Sequence, residues 1–350
     1  DYPVSEQARA LHSSLFIIDM HSDTTLWQRD PARQNQRGHV DLPRLRQGNV
    51  AIQVFSATTK SPRGQNYERN EGGSDNITAL AVIQAWPLRT WSSLYARADY
   101  QLDRLLDLEE SEQGAFIFIE NRADLQRLLD ARAENPEVVG GLYLIEGAHP
   151  LEGDIDNLER LRDKGLHFVG LTHFFDNRLG GSLHGTSGDG LTAFGSEVVR
   201  RAHELGMTID VAHASPQMVR DVLEIGGRPV VLSHGGFAGA CDTPRNLSDE
   251  LMIRIAEGGG IIGVGFWDAA VCDPSPAGIA RSIRYGIDLL GVEHIALGSD
   301  YDGTVTTPFD TAGLAALTQA LLDEGLAEDD IRAVMGGNML RFLQQQLPGS

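Results

Sequence analysis

The residues of this sequence best suited to chemistry are histidines and carboxylates that follow short apolar segments. Four of the eleven histidines stand in this position, and three acidic residues share it. The seven residues are His21, Asp23, Glu146, His173, His213, His234 and Asp300. Zinc in proteins is bound by neutral imidazole nitrogens and carboxylate oxygens, so these residue types predict a metal site.

The spacing within this set indicates which residues share a metal ion. His21 and Asp23 are two positions apart, so in a strand both side chains point to the same side and can bind one ion. His213 and His234 are separated by about one strand and one helix, which predicts that they end adjacent strands and bind a second ion. Glu146 can bridge both ions through its two oxygens. Two zinc ions about 3.5–4 Å apart would acidify a shared water and polarise a carbonyl, which is the chemistry of a hydrolase.

Each of these residues also has a structural interpretation. A single histidine at a strand end is more often packed or hydrogen-bonded than a metal ligand, and a single acid there often caps the next helix. The metal site is favoured because seven such residues recur at the same position relative to a strand. Five other histidines are expected to be structural or solvent-facing: His12, His39, His167, His203 and His294. His149 and His184 are placed in loops beside the site, where they can support the ligands.

The segments that must position these residues alternate between strands and helices. Nine short apolar runs are typical of buried parallel strands, at 15–19, 50–55, 115–119, 141–145, 168–172, 208–212, 229–233, 260–266 and 294–299. Amphipathic helices are predicted between most of them, for example at 191–206, 215–227 and 276–291. This alternation predicts an α/β fold with a parallel sheet.

A (β/α)8 barrel of the TIM type would bring the seven residues together, because the carboxyl ends of all its strands open at one mouth. Nine strands are one too many, so the run at 115–119 is assigned to an excursion between residues 57 and 140, which also holds a long helix predicted over roughly 76–108. A doubly wound open sheet is the alternative, and it is disfavoured because no GxGxxG or Walker motif follows the first strand. We predict one domain over residues 1–350.

The amino-acid composition indicates which kinds of binding partner are not expected. The chain has a net charge of −20, with 29 basic and 49 acidic residues, so nucleic acids and anionic membranes are not expected to bind it. The sequence has no apolar run of about 18 residues, so no membrane-spanning segment is predicted. Its first residues show no signal-peptide pattern, and the compartment stays open between the cytoplasm and an exported location.

Cys241 and Cys272 are the two cysteines, and they can pair or remain buried thiols.

As an ordered set, the motifs resemble those of the membrane dipeptidase family, the renal dipeptidase-like metallopeptidases among the amidohydrolase-type barrels. The matching segments run from residue 19 to residue 342: DMHSD, LIEGAHPLEG, GLTHFFDN, IDVAHAS, VVLSHGG, PRNLSDE, GSDYDG and GGNMLRF. The family opens with HxD, whereas most related amidohydrolases open with HxH and often use a bridging lysine. Asp23 and Glu146 at these positions therefore favour the dipeptidases.

The resemblance implies a division of labour among the site residues. His21 and Asp23 would bind one zinc ion, His213 and His234 would bind the other, and Glu146 would bridge the two. The implied cofactor is thus two Zn2+ per chain.

The resemblance also implies which residues act on the substrate. His173 would polarise the scissile carbonyl and steady the oxyanion, and Arg245 would grip the substrate's C-terminal carboxylate through its guanidinium fork. Asp300 would pass a proton from the nucleophilic water to the leaving amine. The implied reaction is attack of a metal-bridging hydroxide on the peptide bond of a dipeptide, L,D-dipeptides included. A homodimer and a disulfide between Cys241 and Cys272 are implied in the same way.

The sequence leaves other interpretations of the substrate and of the reaction open. The loop FFDNRLGGSLHG after His173 differs from that of the animal members, and Asp176, Asn177 and Arg178 in it are expected to order the loop. The alternative function is another amide or lactone hydrolase, such as an N-acyl deacetylase, on the same two-metal site, which would not require Arg245. A barrel that has lost peptidase activity is a third interpretation, and the complete ligand set argues against it.

Overall fold

The computed structural model describes residues 2–349 and is built around nine parallel strands. Their bounds are β1 Ile17–Ser22, β2 Val50–Thr58, β3 Phe116–Phe118, β4 Val139–Glu146, β5 Leu166–Gly170, β6 Thr208–Asp210, β7 Val231–Gly235, β8 Ile261–Val264 and β9 Ile295–Leu297. The order β2-β1-β9-β8-β7-β6-β5-β4-β3, together with the pairing of β2 to β4, closes eight of the strands into a barrel. The predicted (β/α)8 fold is confirmed.

The ninth strand lies outside the barrel ring, as expected from the sequence. β3 pairs with the start of β4, from Phe116 opposite Val139 to Phe118 opposite Gly141. β5 pairs with the same side of β4 further along, beginning at Tyr143 opposite Leu166. Because β3 occupies the stretch of β4 that precedes β5, it adds to the sheet without interrupting the barrel.

Helices surround the barrel between the strands. They are α1 Glu6–Ser13, α2 Leu42–Gln47, α3 Asn76–Ile83, α4 Leu94–Ser111, α5 Arg122–Glu134, α6 Asp156–Arg162, α7 Ala193–Glu204, α8 Pro216–Ile225, α9 Asp249–Glu257, α10 Asp268–Val271, α11 Pro276–Leu290, α12 Ala315–Asp323, α13 Glu328–Arg332 and α14 Asn338–Gln346. Among residues 2–349, no helix combines the length and apolarity needed to cross a bilayer.

The helices predicted at 215–227 and 276–291 both begin with residues that favour the start of a helix. Ser215 and Ser275 cap α8 and α11, each accepting a hydrogen bond from the backbone N–H three residues later, and a proline follows each serine. A capping serine satisfies an amide that lacks a helical partner, and proline suits the first helical position because its φ is already helical. The strands between these helices, β7 and β8, are buried along their whole length, since one face meets the barrel axis and the other meets the helices.

The single helix predicted over roughly 76–108 is wrong. The segment holds two helices, α3 and α4, separated by a 3-10 turn at Leu88–Trp91. Pro87 has no backbone N–H and disfavours a helical conformation at the residue before it. Ala85 has a φ of 55°, which is left-handed and ends α3. Pro87 was therefore a sequence signal for the break that the prediction of one long helix overlooked.

Candidate metal centre

The structure brings the seven predicted residues together at the carboxyl mouth of the barrel. His21, Glu146 and His234 lie within the last two residues of β1, β4 and β7. The other four follow a strand by one to three residues: Asp23, His173, His213 and Asp300. All seven are buried. Parallel strands thus gather side chains from six places in the sequence, as strand-end geometry predicts.

Glu146 lies at the centre of the cluster. Its Oε1 is 3.1 Å from Nε2 of His213, 3.3 Å from Nε2 of His234 and 3.5 Å from Nε2 of His21. Its Oε2 is 3.5 Å from Nε2 of His173. Three imidazoles therefore approach one carboxylate oxygen and the fourth approaches the other, which is the position that a bridging ligand requires.

Potential ligand atoms form three overlapping groups in which all atoms lie within 4.8 Å of one another. The groups are His21 with Glu146 and His234, Glu146 with His173 and His213, and His21 with Asp23 and Asp300. Glu146 and His21 each belong to two groups. The overlap describes a site large enough for more than one ion, with nitrogen and carboxylate donors of the kind that zinc prefers.

A serine and an aspartate behind the cluster orient two of the histidines. Ser233 Oγ donates a hydrogen bond to Asp210 Oδ2 at 2.5 Å, so it can accept from Nδ1 of His21 at 3.3 Å and of His234 at 2.9 Å. With a metal ion bound, both imidazoles would carry a proton on Nδ1 and present Nε2 to the ion. The buried Nε2 of His21 has no hydrogen-bond partner among residues 2–349. A ring nitrogen held in this orientation and facing shared carboxylates fits a metal ion.

The buried carboxylates of the cluster also favour binding of a cation. Burial opposes a charged imidazole at His21, but the carboxylates of Glu146, Asp23 and Asp300 outweigh it and raise the pKa of His21 to about 10. Burial favours the neutral form of Glu146, yet nearby imidazoles, that of His173 first, lower its pKa to about 2. Buried carboxylates thus demand positive charge, which a divalent metal supplies more effectively than a proton.

Two residues of the cluster hold an unusual backbone conformation. His213 has a φ of 63° and Asp300 has a φ of 59°. Non-glycine residues adopt this left-handed region at a cost, and such strain is concentrated at functional sites. Burial, together with the charges of Asp23 and Glu146, also raises the pKa of Asp300 well above its usual value. The fold therefore keeps Asp300 in a backbone conformation that non-glycine residues disfavour. It also keeps its carboxyl group in a buried, negatively charged environment that disfavours the ionised form.

Arg245 borders the same cavity and is buried. Its Nη2 donates to the carbonyl oxygen of His234 at 2.6 Å, and its Cζ lies 5.5 Å from the ring of Trp267. Its Nε has no hydrogen-bond partner among residues 2–349. The disulfide between Cys241 and Cys272 joins the loops that carry Arg245 and Trp267. A buried guanidinium with unused donors beside a metal-ligand cluster is suited to binding an anionic group of a substrate.

The loop after His173 is ordered by its polar residues, as expected. Asp176 accepts hydrogen bonds from the backbone N–H of Ser182 at 2.8 Å and of Thr186 at 2.8 Å. His149 stacks on Phe175 with ring centroids 4.6 Å apart. His184, the other histidine expected beside the site, is buried and packs against the rings of Phe174 and His213.

Four residues at the mouth were not identified from the sequence: Tyr67, Asp210, Ser233 and Trp267. Asp210 and Ser233 stand three and one positions before a histidine that was predicted to bind metal, so the motifs IDVAHAS and VVLSHGG contained a usable signal. Tyr67 lies in the excursion, where no motif marks it. The cavity above the cluster is lined by Tyr67 together with Asp23, Glu146, His173, His213, Arg245 and Asp300.

A family model and a curated relative both match nearly the whole chain. The family model described as membrane dipeptidase, peptidase family M19, matches residues 5–347. Dipeptidase aclJ of Aspergillus oryzae is 28% identical, with the alignment covering 93% of this chain and 77% of the relative.

Two solved structures share the fold over nearly the whole chain. The probable dipeptidase PvdM from Pseudomonas aeruginosa has a TM-score of 0.80 at 18% identity and covers 97% of each chain. A metallopeptidase from Rhodobacter sphaeroides, liganded with a phosphinate mimic of the dipeptide L-Ala-D-Ala, has a TM-score of 0.74 at 23% identity, covering 95% of this chain and 99% of its own.

Proposed function

This chain belongs to the membrane dipeptidase family, peptidase family M19, and we propose that it is a zinc-dependent dipeptidase with a two-metal centre at the barrel mouth. The observation that carries the proposal is a buried, partly unpaired arginine in the same cavity as the cluster around Glu146. A metal cluster alone suits many hydrolases. The arginine adds a preference for substrates that end in a carboxylate.

We propose the following ligands for the two ions: His21 and Asp23 for one, His213 and His234 for the other, and Glu146 for both. This set leaves His173 and Asp300 free to act on the substrate. Bound zinc would make a water molecule acidic enough to be a nucleophile near neutral pH and would polarise the scissile carbonyl.

The chain's own residues would do the remaining work. His173, whose Nε2 lies at the cavity beside Glu146, would donate a hydrogen bond to the carbonyl oxygen as negative charge develops there. Asp300 would accept a proton from the attacking water and deliver it to the leaving nitrogen, so that the amine departs neutral. Arg245 would hold the C-terminal carboxylate and thereby fix the position of the scissile bond.

L,D-dipeptides are candidate substrates together with L,L-dipeptides. The support is the L-Ala-D-Ala mimic in the Rhodobacter sphaeroides structure, which shares this fold. The homodimer implied by the resemblance stays a prediction.

An assay of the zinc-loaded protein against L,L- and L,D-dipeptides, their C-terminal amides, N-acyl amino acids and lactones would test the proposal. We expect cleavage of dipeptides with a free carboxylate and much weaker cleavage of the amides. Arg245→Ala should raise KM for dipeptides by about 10- to 100-fold, the usual effect of losing a hydrogen bond to a charged group. The exposed Arg200→Ala on α7 serves as the matched control.

The alternative makes the opposite prediction. A deacetylase or lactonase on the same centre would prefer N-acyl amino acids or lactones and would tolerate Arg245→Ala. Such a result would favour a deacetylase or lactonase function over dipeptide hydrolysis.

A further inference from the structure

The loop that connects β2 to α3 covers the mouth of the barrel. Three of its residues, Ser61, Gln65 and Tyr67, line the cavity that also contains the metal-ligand cluster. None of the motifs that carry the family resemblance lies in this part of the sequence.

Tyr67 in this loop contacts the segment that follows His173. Its backbone carbonyl oxygen lies 2.8 Å from Nδ1 of His184. Its ring packs against the rings of Phe174 and His184, each at a centroid distance of 5.5 Å. The backbone N–H of Asn70 donates to the carbonyl oxygen of His184 at 2.8 Å, which ties the loop to the segment after His173 a second time. These contacts orient the phenol toward the cavity.

The hydroxyl of Tyr67 has a donor left over. Nε1 of Trp267 donates to the Tyr67 oxygen at 2.9 Å. An indole N–H can only donate, so the hydroxyl is the acceptor in this bond and keeps its own hydrogen available. Among residues 2–349, the hydroxyl donates to no acceptor. Burial raises the pKa of Tyr67 to about 12, so the hydroxyl keeps this hydrogen at neutral pH.

The free donor lies beside the proposed carboxylate site. Trp267 contacts both residues concerned: its N–H binds the Tyr67 hydroxyl, and its ring lies 5.5 Å from Cζ of Arg245. Tyr67 and Arg245 also line one cavity. A group held by the guanidinium in this cavity is therefore adjacent to the phenol.

We propose that Tyr67 is a specificity-determining residue whose hydroxyl donates a second hydrogen bond to the C-terminal carboxylate held by Arg245. The inference rests on the proposed function, because it takes Arg245 as the carboxylate site. Arginine attracts the carboxylate by its charge, while the hydroxyl fixes which way the carboxylate faces.

Tyr67→Phe tests the inference because it removes the hydroxyl and keeps the ring packing. The ligands are a phosphinate dipeptide mimic with a free C-terminal carboxylate and an otherwise identical mimic that lacks it, titrated calorimetrically into zinc-loaded protein. We expect Tyr67→Phe to weaken binding of the carboxylate form by about 10- to 100-fold and to leave the form without a carboxylate within about twofold. KM for dipeptides should rise by a similar factor, with kcat nearly unchanged.

Two further variants make the result specific. Tyr285→Phe removes a hydroxyl that binds Asp249 and does not line the cavity, and it should match the parent with both mimics. Trp267→Phe removes the N–H that holds the Tyr67 hydroxyl but leaves an aromatic ring for Arg245, and it should weaken only the carboxylate form, by less than Tyr67→Phe does. Unchanged binding in Tyr67→Phe, or equal weakening of both mimics, would overturn the inference.

The design separates this inference from the proposed function. A parent protein that binds the carboxylate mimic more tightly but cleaves no dipeptide would contradict dipeptide hydrolysis, and the Tyr67→Phe affinities would still decide the role of the hydroxyl. A parent that binds both mimics equally has no carboxylate site, which would overturn both.

Discussion

Asp300 differs from the other carboxylates of the cluster in its access to the cavity. Its side chain is 11% exposed, whereas the side chains of Asp23 and Glu146 are each 5% exposed. It lies 3.9 Å from His21, further than a hydrogen bond, and its backbone is left-handed. A carboxylate held near the ligands but turned toward the substrate space is suited to moving protons.

Asp300→Asn should therefore lower kcat by about 100- to 10,000-fold while the protein keeps its metal. The amide is nearly the same size as the carboxylate, but it cannot take up and release the proton. The measurement is kcat together with the zinc content by elemental analysis, with exposed Asp163→Asn as control. A variant that retains zinc and turns over at the parent rate would show that another group moves the proton. A variant that loses zinc would show that Asp300 is a ligand.

At the level of elements, His12 joins three helical segments. It lies in α1, its Nδ1 is 2.8 Å from Oγ1 of Thr318 in α12, and its Nε2 is 3.1 Å from the carbonyl oxygen of Gly48 after α2. Burial lowers the pKa of His12 to about 4, although the hydrogen bond with Gly48 opposes this shift. The folded protein therefore keeps this histidine neutral at pH values where the unfolded chain protonates it.

The sign of the resulting pH dependence follows from proton uptake. Above about pH 6.5 both states are neutral at His12 and nothing is lost. Between about pH 6.5 and 4 the unfolded state binds the extra proton, so the free energy of unfolding falls as the pH falls, by roughly 3 kcal/mol at most. His12→Gln removes this titration and should flatten the acid side of the stability profile, measured by urea unfolding at several pH values. Parallel profiles for variant and parent would contradict the assignment.

The stability of the whole barrel is expected to depend on the cluster, because six strands contribute residues to it. Without a cation, the carboxylates of Glu146, Asp23 and Asp300 are buried close together and repel one another. We propose that residues 1–350 form one domain, so a change at the mouth should affect the stability of the entire barrel.

Removing the metal with a chelator should therefore lower the Tm of a single unfolding transition, and added zinc should restore it. A ligand present at about 1,000 times its Kd stabilises a protein by about 4 kcal/mol, which gives the scale of the effect. Scanning calorimetry with and without chelator measures it, and Glu146→Gln, which removes the carboxylate that we propose as the bridging ligand, should reduce the difference. Two separate transitions would contradict the single domain, and an unchanged Tm after verified metal loss would contradict the coupling.

The sequence by itself determined the barrel and the set of residues at its mouth. Strand and helix periodicities are local, and the carboxyl end of a parallel strand is readable from where its apolar run stops. His21, Glu146 and His234 could thus be placed at one mouth from their positions alone. The prediction failed between α3 and α4, where it overlooked Pro87 and the left-handed turn at Ala85 that precedes it.

Only the tertiary structure decided how the mouth is lined and supported. Ser233 orients His21 from 212 positions away, and Tyr67 meets Trp267 across 200 positions. Such contacts depend on the paths of loops, whose conformations are set by hydrogen bonds that closed only when the barrel formed. Periodicity carries no information about them, because a loop residue has no fixed direction until its partners are in place.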